Sequence, residues 1–204
     1  MTGPGLTRRG LLGRSAGLAG MLAAGACRQA DGTGDDLAGA ARAAGAERLV
    51  VEHYRSTSTL AAQGRLGAAI PEAFIRVVTT ATVHHQDHLD AWTTLLAGAG
   101  RSPGAAPVGM GPAMELAAGR VTDVPAAATM ALRLEDYLAQ TYLALVPSLR
   151  APAAITLAGQ MLIVDAQHQA VLRYLVGLPP VGSGVARDAA DLAPAEPRLA
   201  LISG

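Results

Sequence analysis

The chain has 204 residues, enough for one core of ordinary size. Half are hydrophobic, yet only Phe74, Trp92 and four tyrosines are aromatic, so alanine and leucine must fill the interior, which favours close-packed helices over a β-sandwich. Sixteen basic residues, all arginine, cancel sixteen acidic ones without forming a basic block, which leaves electrostatic capture of nucleic acid without support.

The first 27 residues read as an address. Thr7-Arg8-Arg9-Gly10-Leu11-Leu12 has the pattern of a twin-arginine export signal. The weakly apolar stretch Ser15–Ala26 that follows is about 12 residues, too short to span a bilayer. It ends at Cys27, the single cysteine. Ala24-Gly25-Ala26-Cys27 is similar to a lipoprotein processing site, with Ala in place of the usual leading Leu. A lone thiol in an exported protein is odd, and lipidation would account for it. The plainer alternative is a chance Arg-Arg pair and a signal simply cleaved. The expected location is the cell envelope, outside the cytoplasm, with the membrane reached through an N-terminal lipid anchor.

Residues 28–36 are Gly- and Asp-rich and read as a flexible tether. A first helix is expected from Leu37 to Gln63, ending near Gly64 and Gly67. Pro71 opens a second, which runs to Ala97 before Gly98, Gly100 and Pro103. A long connection to Pro125 follows, with a short helix expected at Pro112–Ala118. The third helix spans Ala126–Val146 and stops at Pro147. The fourth starts at Pro152, a favoured first-turn position, and runs to Gly177. Residues 179–204 form a Pro/Gly-rich tail. Membrane insertion of the helices themselves is a poor reading, because Arg133, Asp136 and Arg173 would meet lipid.

Helical phase carries the functional argument. The inward stripe of the second helix reads Phe74, Val78, Ala81, His85, His88, Trp92, Leu95. The fourth reads Ala154, Ala158, Met161, Asp165, His168, Leu172, Leu175, and the third reads Ala128, Ala131, Glu135, Leu138, Tyr142, Leu145. The first helix is less clean, with Leu49, Glu52, Ser56 and Leu60 as its nearest equivalent. Polar residues thus interrupt apolar stripes at Glu52, His85, His88, Glu135, Asp165 and His168. His85-x-x-His88 and Asp165-x-x-His168 each place two metal-capable side chains about one turn apart on one face. A buried unpaired carboxylate costs several kcal/mol, so such groups need partners or a metal.

Each residue also has a bland reading. A single inward histidine is more often a hydrogen-bonded core residue than a ligand, but two His-ended clusters at one spacing reverse that preference. Glu135 could pair with Arg133 or cap a local turn, and Glu52 could be a surface acid beside Arg48 or Arg55. His84 and His53 are read as peripheral, with His84 a substitute for His85 as the alternative. Asp87 and Asp90 fall on an outer, solvated face. Tyr142 reads as core, within reach of hydrogen-bonding a ligand.

On these residues the chain resembles the ferritin-like superfamily, in particular the exported bacterial ferritin-like domain proteins. The resemblance covers about residues 37–178 and rests on Glu52, His85-x-x-His88, Glu135 and Asp165-x-x-His168. The stretches Leu134-Glu135-Asp136-Tyr137 and Val164-Asp165-Ala166-Gln167-His168 look especially like it. It implies an all-α four-helix bundle with a long crossover between helices 2 and 3. It also implies a lone Glu on two helices and Glu-x-x-His on the other two, together holding two iron or manganese ions. Here His85 stands where a Glu is expected, and Asp165 replaces the other paired Glu. A carboxylate bridges two cations, whereas a neutral imidazole offers one nitrogen to one metal. One ion or an asymmetric pair therefore suits this donor set better, with zinc or copper as open as iron or manganese. The expected function is metal binding in the envelope, with Fe(II) oxidation or oxidant handling as its chemistry. The alternative is a non-enzymatic lipoprotein whose bundle is a binding or scaffold module with a degenerate, metal-free site. A homodimer is compatible with either.

Overall fold

The computed structural model describes residues 34–105 and 119–180. Arg8, Arg9, Cys27, the first 33 residues, the expected helix at Pro112–Ala118 and the tail beyond residue 180 lie outside the described residues. Among those described, the chain forms four long helices: α1 (Gly34–Ala62), α2 (Glu72–Gly98), α3 (Val124–Leu145) and α4 (Pro152–Leu175). A single 3-10 turn, Val146–Ser148, follows α3.

Local chemistry sets the helix ends. Asp123 caps α3, its carboxylate accepting the Ala126 N–H at 2.7 Å. Pro152 opens α4 at a position that needs no N–H donor. At the far ends of α2 and α4, Gly100 and Gly177 take left-handed φ values of 66° and 76°. There Arg101 N–H and Leu178 N–H reach back five residues to the Leu96 and Arg173 carbonyls, the closure that glycine permits without a Cβ clash. Helix α1 begins inside the expected tether, three residues before Leu37. Asp35 and Asp36 favour a helix N-terminus, and the buried Asp36 carboxylate accepts N–H bonds from Arg150 and Ala151. The start of α1 is thereby tied to the start of α4.

Helices α1 and α2 pack as one antiparallel pair and α3 and α4 as another, with α1 against α3 and α2 against α4 closing the bundle. The connection after α2 docks back onto α1: Gly104 N–H donates to the Ala41 carbonyl at 3.0 Å, and Arg48 donates to the Gly104 carbonyl at 2.9 Å. The core is Ala- and Leu-rich with a few large anchors, Trp92, Tyr54, Tyr142 and Phe74, all fully buried. Among the described residues no helix is long and apolar enough to cross a membrane.

The inward stripes of α2, α3 and α4 follow the sequence expectation, with Leu96 rather than Leu95 closing α2 and Leu175 only half-buried. The phase of α1 differs. Its buried row is Ala40, Ala43, Glu47, Val50, Tyr54 and Thr57, repeating in steps of three and four. Glu52 lies about 140° around the helix from Glu47 and is exposed, while Leu49 is only half-buried. Glu52 therefore does not point inward; Glu47 does.

Candidate metal centre

Five of the six residues singled out in the sequence meet inside the bundle: His85 and His88 from α2, Glu135 from α3, Asp165 and His168 from α4. The sixth place belongs to Glu47 of α1, fully buried, and not to Glu52. The alternative pairing of Glu135 with Arg133 is also set aside, because Glu135 is sealed from solvent and Arg133 is exposed. Three carboxylates and three imidazoles share one level between four helices.

His85 stands at the middle. Its Nδ1 lies 2.7 Å from Glu47 Oε2 and its Nε2 lies 3.0 Å from Glu135 Oε1. His88 Nδ1 is 3.2 Å from Glu47 Oε1, and His168 Nδ1 is 3.2 Å from Glu135 Oε1. Asp165, a methylene shorter than Glu, reaches none of them closely; its nearest ring nitrogen is His88 Nδ1 at 3.9 Å.

Two tyrosines complete an approximate two-fold pattern. Tyr54 follows Glu47 by seven residues, and Tyr142 follows Glu135 by seven. Each hydroxyl donates across the bundle to the other helix's glutamate: Tyr54 to Glu135 Oε1, and Tyr142 to Glu47 Oε1 at 2.5 Å. Trp92 Nε1–H in turn donates to the Tyr142 oxygen at 3.1 Å.

The electrostatics follow from burial. Burial alone would push Glu47 upward, but the His85 charge and hydrogen bonds from His85 and His88 bring it down to about 2. Glu135 is likewise raised by burial and brought to about 2, chiefly by His85. Burial disfavours the His85 cation, yet Glu135 and Glu47 on either side hold its pKa well above the usual imidazole range. Asp165 goes the other way. Burial pushes its carboxyl well up, Glu47 and Glu135 push further, and only His85 opposes them. Both tyrosine hydroxyls are pushed well above their ordinary value by burial and by the glutamate each one touches.

Two histidines read as peripheral are not. His84 is half-buried, with its Nδ1 3.0 Å from His168 Nε2 and the two rings stacked. His53 is buried, edge-on to Tyr54, with Nε2 3.5 Å from the Thr57 hydroxyl, and burial lowers its pKa to about 4. Asp87 and Asp90 are exposed, as their outer-face positions require.

Two overlapping groups can hold a metal ion: Glu47, His85, His88 and Asp165, and His85, Glu135, Asp165 and His168. In each, the donor atoms lie within 4.8 Å of one another. The donor set fits a cation on a second count. Both Asp165 oxygens, Glu135 Oε2 and His168 Nδ1 are buried without a hydrogen-bond partner, a cost that coordination would remove.

A helical bundle with paired helices, a long link between α2 and α3, and carboxylates and imidazoles facing its axis defines a ferritin-like fold. The Ferritin-like domain family matches residues 35–178, well over half of the chain, and the chain belongs to that family. No curated protein and no solved structure matches it significantly.

Proposed function

We propose that this chain is an exported, ferritin-like metal-binding protein of the cell envelope, tethered through Cys27. Iron or manganese is its resident ion, and oxidation of Fe(II) or disposal of oxidants is its chemistry. The observation that carries this reading is the cluster of three carboxylates and three imidazoles inside an Ala/Leu core, four of whose polar atoms have no hydrogen-bond partner.

Bound iron or manganese would supply one-electron exchange with oxygen or peroxide. The chain supplies the rest. Glu135 and Asp165 provide the negative charge that retains a divalent cation, His85 and His168 bring imidazole nitrogens to it, and Glu47 with His88 bonded to it completes the polar cluster. Tyr54 and Tyr142 hold the two glutamates in place through their hydroxyls. Buried apolar side chains within a turn of these residues, Trp92, Leu138 and Leu172 among them, keep bulk water from the cluster. Zinc and copper accept the same donors, so softness does not choose the ion.

One observation favours the second reading, a metal-free scaffold lipoprotein. A doubly protonated His85 satisfies Glu47 and Glu135 together and holds that part of the cluster without an ion. It leaves Asp165 unexplained.

Elemental analysis of the purified protein beside a His88→Ala/His168→Ala double variant separates the two. Near-stoichiometric metal in the wild type, lost in a variant that still shows helical circular dichroism, supports metal binding. No metal after reconstitution with Fe(II), Mn(II) and Zn(II) supports the scaffold. Fast consumption of Fe(II) under air would show that the centre is an enzyme. Export and anchoring have their own test: radiolabelled fatty acid should mark the wild type and not Cys27→Ser.

A further inference from the structure

The two halves of the cluster are unequal, and the inequality bears on how many ions it holds and which residues touch them. On the Glu47 side every polar atom of the glutamate is engaged. Glu47 Oε2 meets His85 Nδ1 at 2.7 Å, and Oε1 meets the Tyr142 hydroxyl at 2.5 Å and His88 Nδ1 at 3.2 Å. On the Glu135 side, Glu135 Oε2 and His168 Nδ1 have no hydrogen-bond partner, and neither does either oxygen of Asp165, which both groups share. His168 Nδ1 lies 3.2 Å from Glu135 Oε1, close enough for an ion pair but not aligned as a hydrogen bond.

The imidazoles choose their free nitrogens accordingly. A neutral ring carries one proton and one lone pair, and a metal-bound histidine ordinarily gives its other N–H to a fixed acceptor. His168 Nε2 has such a partner in His84 Nδ1 at 3.0 Å, which leaves the His168 Nδ1 lone pair beside Glu135, in the group that also includes Asp165. His85 has its closer contact at Nδ1, with Glu47, which leaves Nε2 on the Glu135 side.

We infer that this centre holds a single divalent ion on His85 Nε2, Glu135, Asp165 and His168 Nδ1, with Glu47 and His84 as positioning residues that fix the two imidazoles. The assignment rests on the metal-binding reading above. Two carboxylates balance the charge of one divalent cation. Glu47, held by Tyr142 and His88, orients His85 without touching the ion. His88 belongs to the support and not to the ligand set.

Calorimetric titration of metal-free protein with Co(II), followed by visible absorption of the bound ion, tests this. The expected result is one Co(II) per chain in the wild type. His88→Gln should keep that stoichiometry, the same Co(II) spectrum and an affinity within about 3-fold, while His168→Gln and Asp165→Asn should lose about 100-fold or more. Glu47→Gln and His84→Ala should weaken binding by about 10- to 100-fold at unchanged stoichiometry, the range seen when a partner of a ligating histidine is removed. His84→Asp, which restores an acceptor for His168, should recover most of the loss. Circular dichroism of each variant separates lost binding from lost folding. Two Co(II) per chain, or a loss in folded His88→Gln as large as in His168→Gln, would overturn the single-ion assignment and leave metal binding intact. No Co(II) or Zn(II) uptake by the wild type would instead overturn the metal-binding reading itself.

Discussion

His53 shows what a buried base does when it is not paired with an acid. Burial lowers its pKa to about 4, against an ordinary 6.5, with Glu135 pulling the other way. The unfolded chain therefore takes up this proton first, and folding loses stability as pH falls from about 6.5 to about 4. The full loss is about 3 kcal/mol at most. His53→Gln should flatten that slope: urea midpoints at pH 7 and pH 4.5 should differ less than in the wild type, and an unchanged difference would contradict the assignment. The two tyrosines work oppositely, each filling a lone pair of a buried glutamate. Tyr54→Phe and Tyr142→Phe should each cost about 1–3 kcal/mol in metal-free protein, the range for an acceptor left unsatisfied. Denaturant unfolding measures it, and a loss under a few tenths would show that neither hydroxyl matters.

At the scale of the helices, two glycines with opposite surroundings make a paired test. A Cβ at Gly159, inside α4, would meet nothing within 4 Å, so Gly159→Ala should stabilise by about 0.5–1 kcal/mol through helix propensity alone. A Cβ at Gly104 would lie 2.8 Å from the Ala41 carbonyl oxygen, a backbone atom that cannot swing aside. Gly104→Ala should cost about 1–3 kcal/mol by forcing the start of the crossover off α1. Thermal unfolding of both variants should move in opposite directions. The same scale explains what the sequence could disclose. In α2 and α3 bulky residues such as Trp92 and Leu138 stand against more polar outer faces, so the phase of His85 and Glu135 was legible; in α4, whose outer face exposes Ile163 and Val171, the paired polar residues Asp165 and His168 marked it. In α1 the lead-in is alanine and glycine, buried on most of its circumference, and that low contrast hid the phase. Leu49 and Leu60 flank Glu52 at helical spacing and give it an apparent inward phase. The signal that identifies Glu47 is Tyr54 seven residues on, echoing Tyr142 seven residues after Glu135. The roles of His84 and His53 depend on partners from other helices or on burial depth, which no local pattern encodes.

For the molecule as a whole, stability and metal binding should pull against each other at Asp165. Its carboxyl is buried between two glutamates, which raises its pKa well above the usual range and costs the metal-free fold. Asp165→Asn should leave metal-free protein as stable as the wild type or more so. Excess metal should raise wild-type stability, by about 2.7 kcal/mol at a hundredfold excess over Kd, and the variant should show little of that gain. Thermal melts with and without Mn(II) or Zn(II) read both effects, and an Asp165→Asn protein that gains as much as the wild type would remove Asp165 from the site. The most direct measurement is anomalous X-ray scattering at the absorption edge of the added metal, from crystals of reconstituted protein. The account predicts one strong peak inside the bundle, contacted by Glu135, Asp165, His85 and His168. A bundle interior without anomalous density, or a peak held only by exposed surface residues, would contradict it.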